Sequence, residues 1–212
     1  YKFFYVNGCS HVEGGGLEHP SIRPADSILS EYEKKYGVTW KSRDEVNFGQ
    51  RLSEIIGIPC FNDAKSGSGT DRMVRTTYDF IYKNWDRRDK FFLILENPDP
   101  RRCDVFLKDI NDYFIVNVYY NEKNESHYFG NTSREYYNNK YKKDDKLFFD
   151  VLKYWTDNHF NFDEKLINDD KSFIGLYSFC KMVGIKIFVM NTTKYLFSDC
   201  FSPDDVINFN DK

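Results

Sequence analysis

A serine and a histidine follow a short apolar segment near the start of the chain, in "KFFYVNGCSH" at residues 2–11. A serine hydroxyl is a poor nucleophile until a base removes its proton and hydrogen-bond donors stabilise the charge that forms on the substrate. A sharp turn after a buried strand exposes such a hydroxyl and directs backbone N–H groups towards it. Ser10 is therefore a candidate nucleophile and His11 a candidate base. A turn that only reverses the chain has the same composition.

A second segment, "SGSGTDR" at residues 66–72, has the composition of a loop that contacts a ligand. Glycines at 67 and 69 let the backbone approach a bound group closely, and a helix predicted to begin at Thr70 or Asp71 directs its free N–H groups to the same place. We expect this loop to supply an oxyanion donor from Gly67 or Gly69, with Gly69 and Asp71 contacting substrate. A flexible turn between a strand and a helix is the structural alternative.

The third segment is "LENPDPRR" at residues 95–102, which follows the longest apolar run of the first half. Asn97 can offer its side-chain amide to an oxyanion, and Arg101 or Arg102 can hold a substrate carboxylate or phosphate. An Asn-Pro turn with surface arginines would have the same sequence.

The elements that position these segments are short apolar runs that alternate with helical patterns. We predict strands at residues 2–7, 58–63, 90–97 and 185–191, and helices at residues 25–37, 42–57, 131–159 and 163–183. Within residues 64–85, a Gly/Ser turn precedes a helix whose predicted N-cap is Thr70 or Asp71. Residues 114–120 fit a strand or a helix, and residues 192–212 show no clear element. Strands separated by helices indicate a parallel sheet covered on both faces, so the predicted fold class is a three-layer α/β/α domain.

Ligands in such a domain bind at the carboxyl ends of the strands, near the point where the strand order reverses. This rule brings residues 7–11, 63–70 and 95–102 to one edge of the sheet. The length of 212 residues predicts a single domain over 1–212. Within it, residues 121–162 are rich in Tyr, Phe and Trp and predict a helical cap or insertion.

Charge and cysteine usage exclude several classes of partner. The net charge of −3 and the pI near 5.9 give no general attraction for nucleic acid. No apolar run approaches the ~20 residues of a membrane span, so no membrane partner is expected. Five scattered cysteines without a C-x-x-C pair indicate free thiols in a reducing compartment, which predicts a cytoplasmic location.

Metal and cofactor sites are not indicated. A metal centre needs clustered His, Cys or carboxylate groups, and the one candidate group, His11, Glu13 and His19, matches no recognised spacing. The glycines after Ser10 lack the spacing of the common nucleotide-binding loops. We therefore expect no metal and no cofactor. The sequence gives no indication of the oligomeric state.

Taken together, the three segments resemble the SGNH/GDSL-type hydrolases, and more narrowly the divergent SGNH-like proteins of phages and large DNA viruses. The resemblance covers roughly residues 2–105, with "NDAKSGSGTDRMVRTT" at 62–77 as its most specific part and a looser match at 163–191. It implies a flavodoxin-like sheet of about five parallel strands. It also implies that Ser10 is the nucleophile and that two groups bind the oxyanion. These are the backbone N–H of Gly67 (or Gly69) and the side chain of Asn97.

The sequence departs from the family pattern at three points. Cys9 stands where the family has an aspartate, and the third segment lacks the family's Gly-x-Asn-Asp form. The Asp-x-x-His pair that supplies the family's base near the C-terminus does not occur in this sequence. The base is therefore lost, encoded after Lys212, or replaced by one of the four histidines of the chain. These are His11, His19, His127 and His159.

Two functions follow from the resemblance. The first is a serine esterase or O-acyl transfer enzyme that uses Ser10 on a small-molecule or carbohydrate ester, in the host cytoplasm or a virion. The second is a catalytically inactive SGNH-like protein with a binding or structural role, such as a virion component.

Overall fold

The structure, a computed structural model, describes residues 1–9, 12, 47–65, 67–108, 112–118, 154, 157–191 and 200–208. Its strands are β1 (Phe3–Asn7), β2 (Cys60–Asn62), β3 (Phe91–Glu96), β4 (Arg102–Leu107), β5 (Asp112–Asn117), β6 (Lys186–Asn191) and β7 (Val206–Asn208). Its α-helices are α1 (Phe48–Ile56), α2 (Thr70–Lys83) and α3 (Phe162–Met182). Short 3₁₀ helices span Trp85–Lys90 and Pro203–Asp205. The predicted helix at 25–37 and almost all of the predicted cap at 121–162 lie outside the described residues.

Five parallel strands form the central sheet in the order β2-β1-β3-β6-β7. Counted along the chain within this sheet, the order is 2-1-3-4-5, which is that of the flavodoxin-like doubly wound fold. The predicted fold class, an α/β domain with about five parallel strands, is confirmed. The strand order reverses between β1 and β3, so a ligand crevice is expected at the carboxyl ends of these two strands.

Helices cover both faces of the sheet, and alternate strand residues point to opposite faces. On one face the strands pack against α2 and α3, through Tyr5, Leu93, Leu95, Ile187, Met73, Ile81, Phe173 and Leu176. On the other face they pack against α1, through Phe4, Val6, Phe92, Ile94, Phe48 and Leu52. Strands β1 and β3 are buried along their whole length, and their sequences are apolar up to their last residues, Asn7 and Glu96.

The N-terminal caps of α1 and α2 differ in how well the sequence predicts them. Helix α1 begins after Asn47, whose side chain accepts the N–H of Gln50, and it ends as predicted at Gly57, in the left-handed conformation. Helix α2 begins after Gly69, so the prediction of an N-cap at Thr70 or Asp71 is wrong. Glycine is itself one of the favoured N-cap residues, and Gly69 also lies directly against the backbone of Arg102 at the start of β4, as described below.

Two parts of the sheet structure were not predicted. Strands β4 and β5 form an antiparallel hairpin whose first strand, "RCDVFL", carries charged residues and gives no apolar run. Strand β7 lies in the segment that showed no clear element, and its three residues pair with β6. Residues 114–120, left open between strand and helix, include the end of β5.

All five cysteines are free thiols. Within the described residues, no helix combines the length and apolar character needed to cross a membrane.

Candidate functional site

A buried hydrogen-bond network lies beneath the turn that follows β1. The side-chain nitrogen of Asn7, the last residue of β1, lies 2.8 Å from the hydroxyl of Tyr5 and 2.8 Å from that of Thr76 on α2. Tyr5 donates in turn to Asp63, just after β2, at 2.9 Å. Burial, together with the nearby Asp63 carboxylate, raises the pKa of Tyr5 well above its usual value. The network therefore holds a neutral phenol and ties the ends of β1 and β2 to α2.

The peptide group between Gly8 and Cys9 is held on both sides. Its carbonyl oxygen accepts the hydroxyl of Ser68 at 2.9 Å and the N–H of Lys65 at 3.2 Å, both from the loop after β2. Its N–H, from Cys9, donates to the carboxylate of Glu96, the last residue of β3, at 2.7 Å. The loops after β1, β2 and β3 therefore meet at the point where the strand order reverses.

Glycine at position 8 is required by the close approach of Glu96. A Cβ atom added to Gly8 would lie 2.5 Å from the Cβ of Glu96 and 2.6 Å from its Oε2. Such distances are shorter than van der Waals contact allows, so any larger residue would force the ends of β1 and β3 apart as well as displace the carboxylate. The N–H of Gly8 is also engaged, since it donates to the side-chain oxygen of Asn7 at 2.9 Å.

The candidate nucleophile Ser10 and the candidate base His11 lie outside the described residues. The residues on either side of this pair are described and fully buried, with Cys9 at 2% and Val12 at 0% exposure. The carbonyl of Val12 accepts the side-chain N–H of Asn62, the last residue of β2, at 3.2 Å. Both residues that flank Ser10 and His11 are thus held at the carboxyl edge of the sheet.

The two candidate glycines of the second segment have different roles in the structure. Gly67 has a φ of 80°, in the left-handed region that glycine adopts most readily. Gly69 lies against the first residue of β4, because an added Cβ would be 2.1 Å from the carbonyl oxygen of Arg102. The close approach at Gly69 is therefore to the protein's own backbone. Ligand contacts by Gly67 and Gly69 stay predictions.

Asn97 directly follows Glu96 and lies at the same edge of the sheet. The residue is buried, and its N–H donates to the carbonyl of Met190 on β6 at 3.0 Å. The site therefore reaches across the end of β3 to β6. The role of the Asn97 side chain as an oxyanion donor stays a prediction.

The three charged candidates are in contact with other parts of the protein. The Asp71 carboxylate forms an ion pair with Lys165 of α3 at 3.0 Å. Arg101 forms hydrogen bonds through its Nε and a terminal nitrogen to Asp99, two residues earlier. Burial alone would raise the pKa of Asp99, but the hydrogen bonds and charge of Arg101 outweigh it and lower that pKa. The backbone N–H of Arg102 donates to the carbonyl of Asp99 at 3.0 Å. Substrate contacts by these residues stay predictions.

Two residues at this edge were not singled out from the sequence, namely Ser68 and Glu96. Ser68 stands between the two glycines of the second segment, and only its hydrogen bond to Gly8 shows its role. Glu96 is a single charged residue at the end of the apolar run "FFLILE". A charge at the predicted carboxyl end of a buried strand is a signal that sequence inspection can use.

Among the described residues, no group of three or more His, Cys, Asp and Glu side chains could hold a metal ion. The three residues weighed as metal ligands, His11, Glu13 and His19, lie outside that part of the chain.

Comparison of the sequence and structure with protein-family models, curated proteins and solved structures found no match.

Proposed function

We propose that the chain is an SGNH-like serine hydrolase that cleaves an ester or O-acyl group, with Ser10 as the nucleophile. One observation carries the proposal. The peptide group between Gly8 and Cys9 is held by Ser68 and Glu96 at the reversal point of a flavodoxin-like sheet. Ser10 is the next residue along the chain. Ligand binding at this point is the general behaviour of doubly wound sheets.

The proposed reaction is acyl transfer in two steps. The Ser10 hydroxyl attacks the ester carbonyl and gives its proton to a base, for which the neighbouring His11 is the first candidate. The N–H of Gly67 and the amide of Asn97 stabilise the oxyanion of the tetrahedral intermediate. The alcohol then leaves with a proton from the base, and water hydrolyses the acyl-enzyme by the reverse proton path.

The contacts of the charged residues bear on the substrate class. Arg101 is already bound to Asp99, so an anionic group would have to compete with an ion pair inside the same loop. This arrangement favours a neutral ester, either a small molecule or an acylated carbohydrate. No cofactor is part of the proposed reaction.

Labelling with a fluorophosphonate tests the proposal, because this reagent reacts with an activated serine. We expect the wild type to be labelled at Ser10, located by peptide mass spectrometry, and the Ser10→Ala variant to remain unlabelled. Ser172→Ala is the matched control, since Ser172 is an exposed residue of α3. It should be labelled at the wild-type rate. A folded wild-type protein that stays unlabelled from pH 6 to 9 would contradict the hydrolase.

The second candidate function is a non-catalytic SGNH-like protein that binds a carbohydrate or another ligand, or that serves as a structural component of a virion. The absence of an Asp-x-x-His pair from the 212 residues favours it. In this case the wild type would resist the fluorophosphonate. The Ser10→Ala variant would then keep the wild type's carbohydrate binding, measured on a glycan array.

A further inference from the structure

We infer that Glu96 is a positioning residue for the proposed nucleophile: its carboxylate holds the N–H of Cys9 and so orients the turn that presents Ser10. The inference rests on the proposed function and assigns a role to a residue that is not part of the SGNH pattern.

The first argument is the cost of placing a carboxylate at this position. Glu96 is completely buried at the end of β3, where every residue of the strand is buried. The residues two and four positions earlier, Ile94 and Phe92, belong to the apolar cluster under α1. An ionised carboxylate in such surroundings is strongly unfavourable unless it is hydrogen-bonded or paired. An apolar residue would suit the packing better, so a buried glutamate at the expected ligand crevice points to a role in function.

The second argument is the fit between Glu96 and Gly8. The Glu96 carboxylate occupies the space that a side chain at position 8 would fill, as shown by the distances to an added Cβ atom. From that space it reaches the N–H of the following residue, Cys9, at 2.7 Å. This distance lies at the short end of the range for N–H···O hydrogen bonds. Glycine and glutamate thus form one matched arrangement, drawn from two strands of the sheet.

The third argument is the consequence for Ser10. A peptide group is planar, so the chain turns only at the two backbone torsions of each residue. With the plane between Gly8 and Cys9 held by Ser68 on one side and Glu96 on the other, only the torsions of Cys9 separate it from the next peptide plane. Burial of Cys9 restricts those torsions further. Because displacement of a catalytic group by about 1 Å can reduce a rate about 10²-fold, this restraint matters for the reaction.

Two variants of Glu96 separate hydrogen bonding from charge and from packing. Glu96→Gln keeps an oxygen that can accept the Cys9 N–H but removes the charge, whereas Glu96→Leu keeps a similar volume without any acceptor. We expect the second-order rate of fluorophosphonate labelling to stay within about threefold of wild type for Glu96→Gln. For Glu96→Leu it should fall by about tenfold or more, in line with the cost of misplacing a reacting group. Rescue by the isosteric variant is a result that a general loss of packing would not give.

Two outcomes would overturn the inference. If Glu96→Leu is labelled as fast as wild type, the carboxylate does not position Ser10. If Glu96→Gln is as slow as Glu96→Leu, the charge itself is needed, and a role as proton acceptor replaces positioning. Should Glu96→Leu fail to fold, Glu96→Met tests the same contact, since its flexible unbranched side chain can follow the path of the glutamate without a carboxylate to accept the Cys9 N–H. It should be slowed by a similar factor, and a wild-type rate in a folded Glu96→Met would equally contradict the inference.

A measurement that needs no catalysis separates this inference from the proposed function. Hydrogen exchange of the Cys9 amide, followed by NMR, should be slow in wild type and in Glu96→Gln and fast in Glu96→Leu. A wild type that resists the fluorophosphonate would overturn the proposed hydrolase function. The role of Glu96 in positioning Ser10 would fall with it. A labelled wild type with unchanged Cys9 exchange in all variants would overturn only the role of Glu96.

Discussion

The hydroxyl of Ser68 donates a hydrogen bond of 2.9 Å to the carbonyl oxygen of Gly8, a residue 60 positions away in the sequence. Ser68 is completely buried, and its hydroxyl also lies 2.7 Å from the carbonyl of Lys65 in its own loop. This contact connects the loop after β2 to the turn after β1. Together with the contact of Glu96, it holds the peptide group in front of the candidate nucleophile.

Replacing Ser68 with alanine should lower the free energy of unfolding by roughly 1–2 kcal/mol, because a buried hydrogen bond is lost while the longer contact from Lys65 to the Gly8 carbonyl remains. Urea unfolding at pH 7 measures the effect. The same change at Ser172, whose exposed hydroxyl contacts the carbonyl of Asn168 on α3, should stay within about 0.5 kcal/mol. Equal unfolding midpoints for the two variants would contradict the importance of the Ser68 contact.

Gly69 should tolerate no side chain, because an added Cβ would lie 2.1 Å from the carbonyl oxygen of Arg102. This neighbour is backbone, so either the start of α2 or β4 must shift. We expect Gly69→Ala to lose roughly 1–3 kcal/mol or more. Gly175→Ala is the matched control, since nothing lies within 4 Å of its added Cβ in the exposed part of α3. The control should gain roughly 0.5–1 kcal/mol from helix propensity. A stabilised Gly69→Ala variant would show that α2 and β4 are not in contact as described.

Asp205 connects β7 to α3 and β6. Its buried carboxylate accepts the hydroxyl of Tyr177 at 2.7 Å and the ammonium groups of Lys181 at 3.0 Å and Lys186. Burial alone would raise the pKa of Asp205, but the hydrogen bonds from Lys186, Tyr177 and Lys181 outweigh it and lower that pKa to about 2. The ionised carboxylate is therefore the form that stabilises the fold.

The Asp205→Asn variant should be less stable than wild type by on the order of 2 kcal/mol at pH 7, because hydrogen bonds to a charged group are lost. A folded-state pKa below the unfolded value means that this stability is present above about pH 4 and is lost as the pH falls towards 2. The difference between variant and wild type should shrink over that range in chemical unfolding. Asp204→Asn, a change at the exposed neighbour, should have little effect at any pH. A pH-independent difference for Asp205→Asn would argue against the role of the ionised group.

Ionisation of the buried Asp169 carboxyl should lower the free energy of unfolding as the pH rises. It is buried on α3 beside Lys165, and burial raises its pKa to about 7 despite that ion pair. Because the folded-state pKa exceeds the unfolded value of about 3.9, the stability is present below about pH 4 and is lost as the pH rises towards 7. A difference of about three between the folded and unfolded pKa values corresponds to about 4 kcal/mol, so relative to Asp169→Asn the wild type should lose up to about 4 kcal/mol over this range.

Thermal or urea unfolding of both proteins at half-unit steps from pH 4 to 8 checks the sign. Subtracting the Asp169→Asn curve from that of the wild type removes the contributions of groups that the two proteins share. Asp163→Asn, at an exposed position in the first turn of the same helix, should follow the wild-type curve. If the wild type instead gained stability relative to Asp169→Asn with rising pH, the ion pair with Lys165 would outweigh the burial of Asp169.

The parts of the fold that sequence reasoning predicted correctly are those that local pattern encodes. Strands β1, β3 and β6 are continuous apolar runs, and α1 has both its apolar face and the terminating Gly57 in its own sequence. The hairpin of β4 and β5 was missed because two of the six residues of its first strand, Arg102 and Asp104, are charged. The buried carboxylate of its Asp104 forms an ion pair at 2.8 Å with Arg75, a residue of α2.

For this chain, the order of apolar and amphipathic segments was enough to establish a parallel α/β sheet and to bring the three polar segments to one edge of it. Apolar burial and helix periodicity act over a few residues, so the residue types alone carry that information. The tertiary structure decided which contacts the residues of these segments make: Gly69 packs on Arg102, Asp71 pairs with Lys165, and Glu96 accepts the N–H of Cys9. Each of these contacts joins residues more than 30 positions apart, and the free energy of such a contact depends on distances that only the folded chain defines.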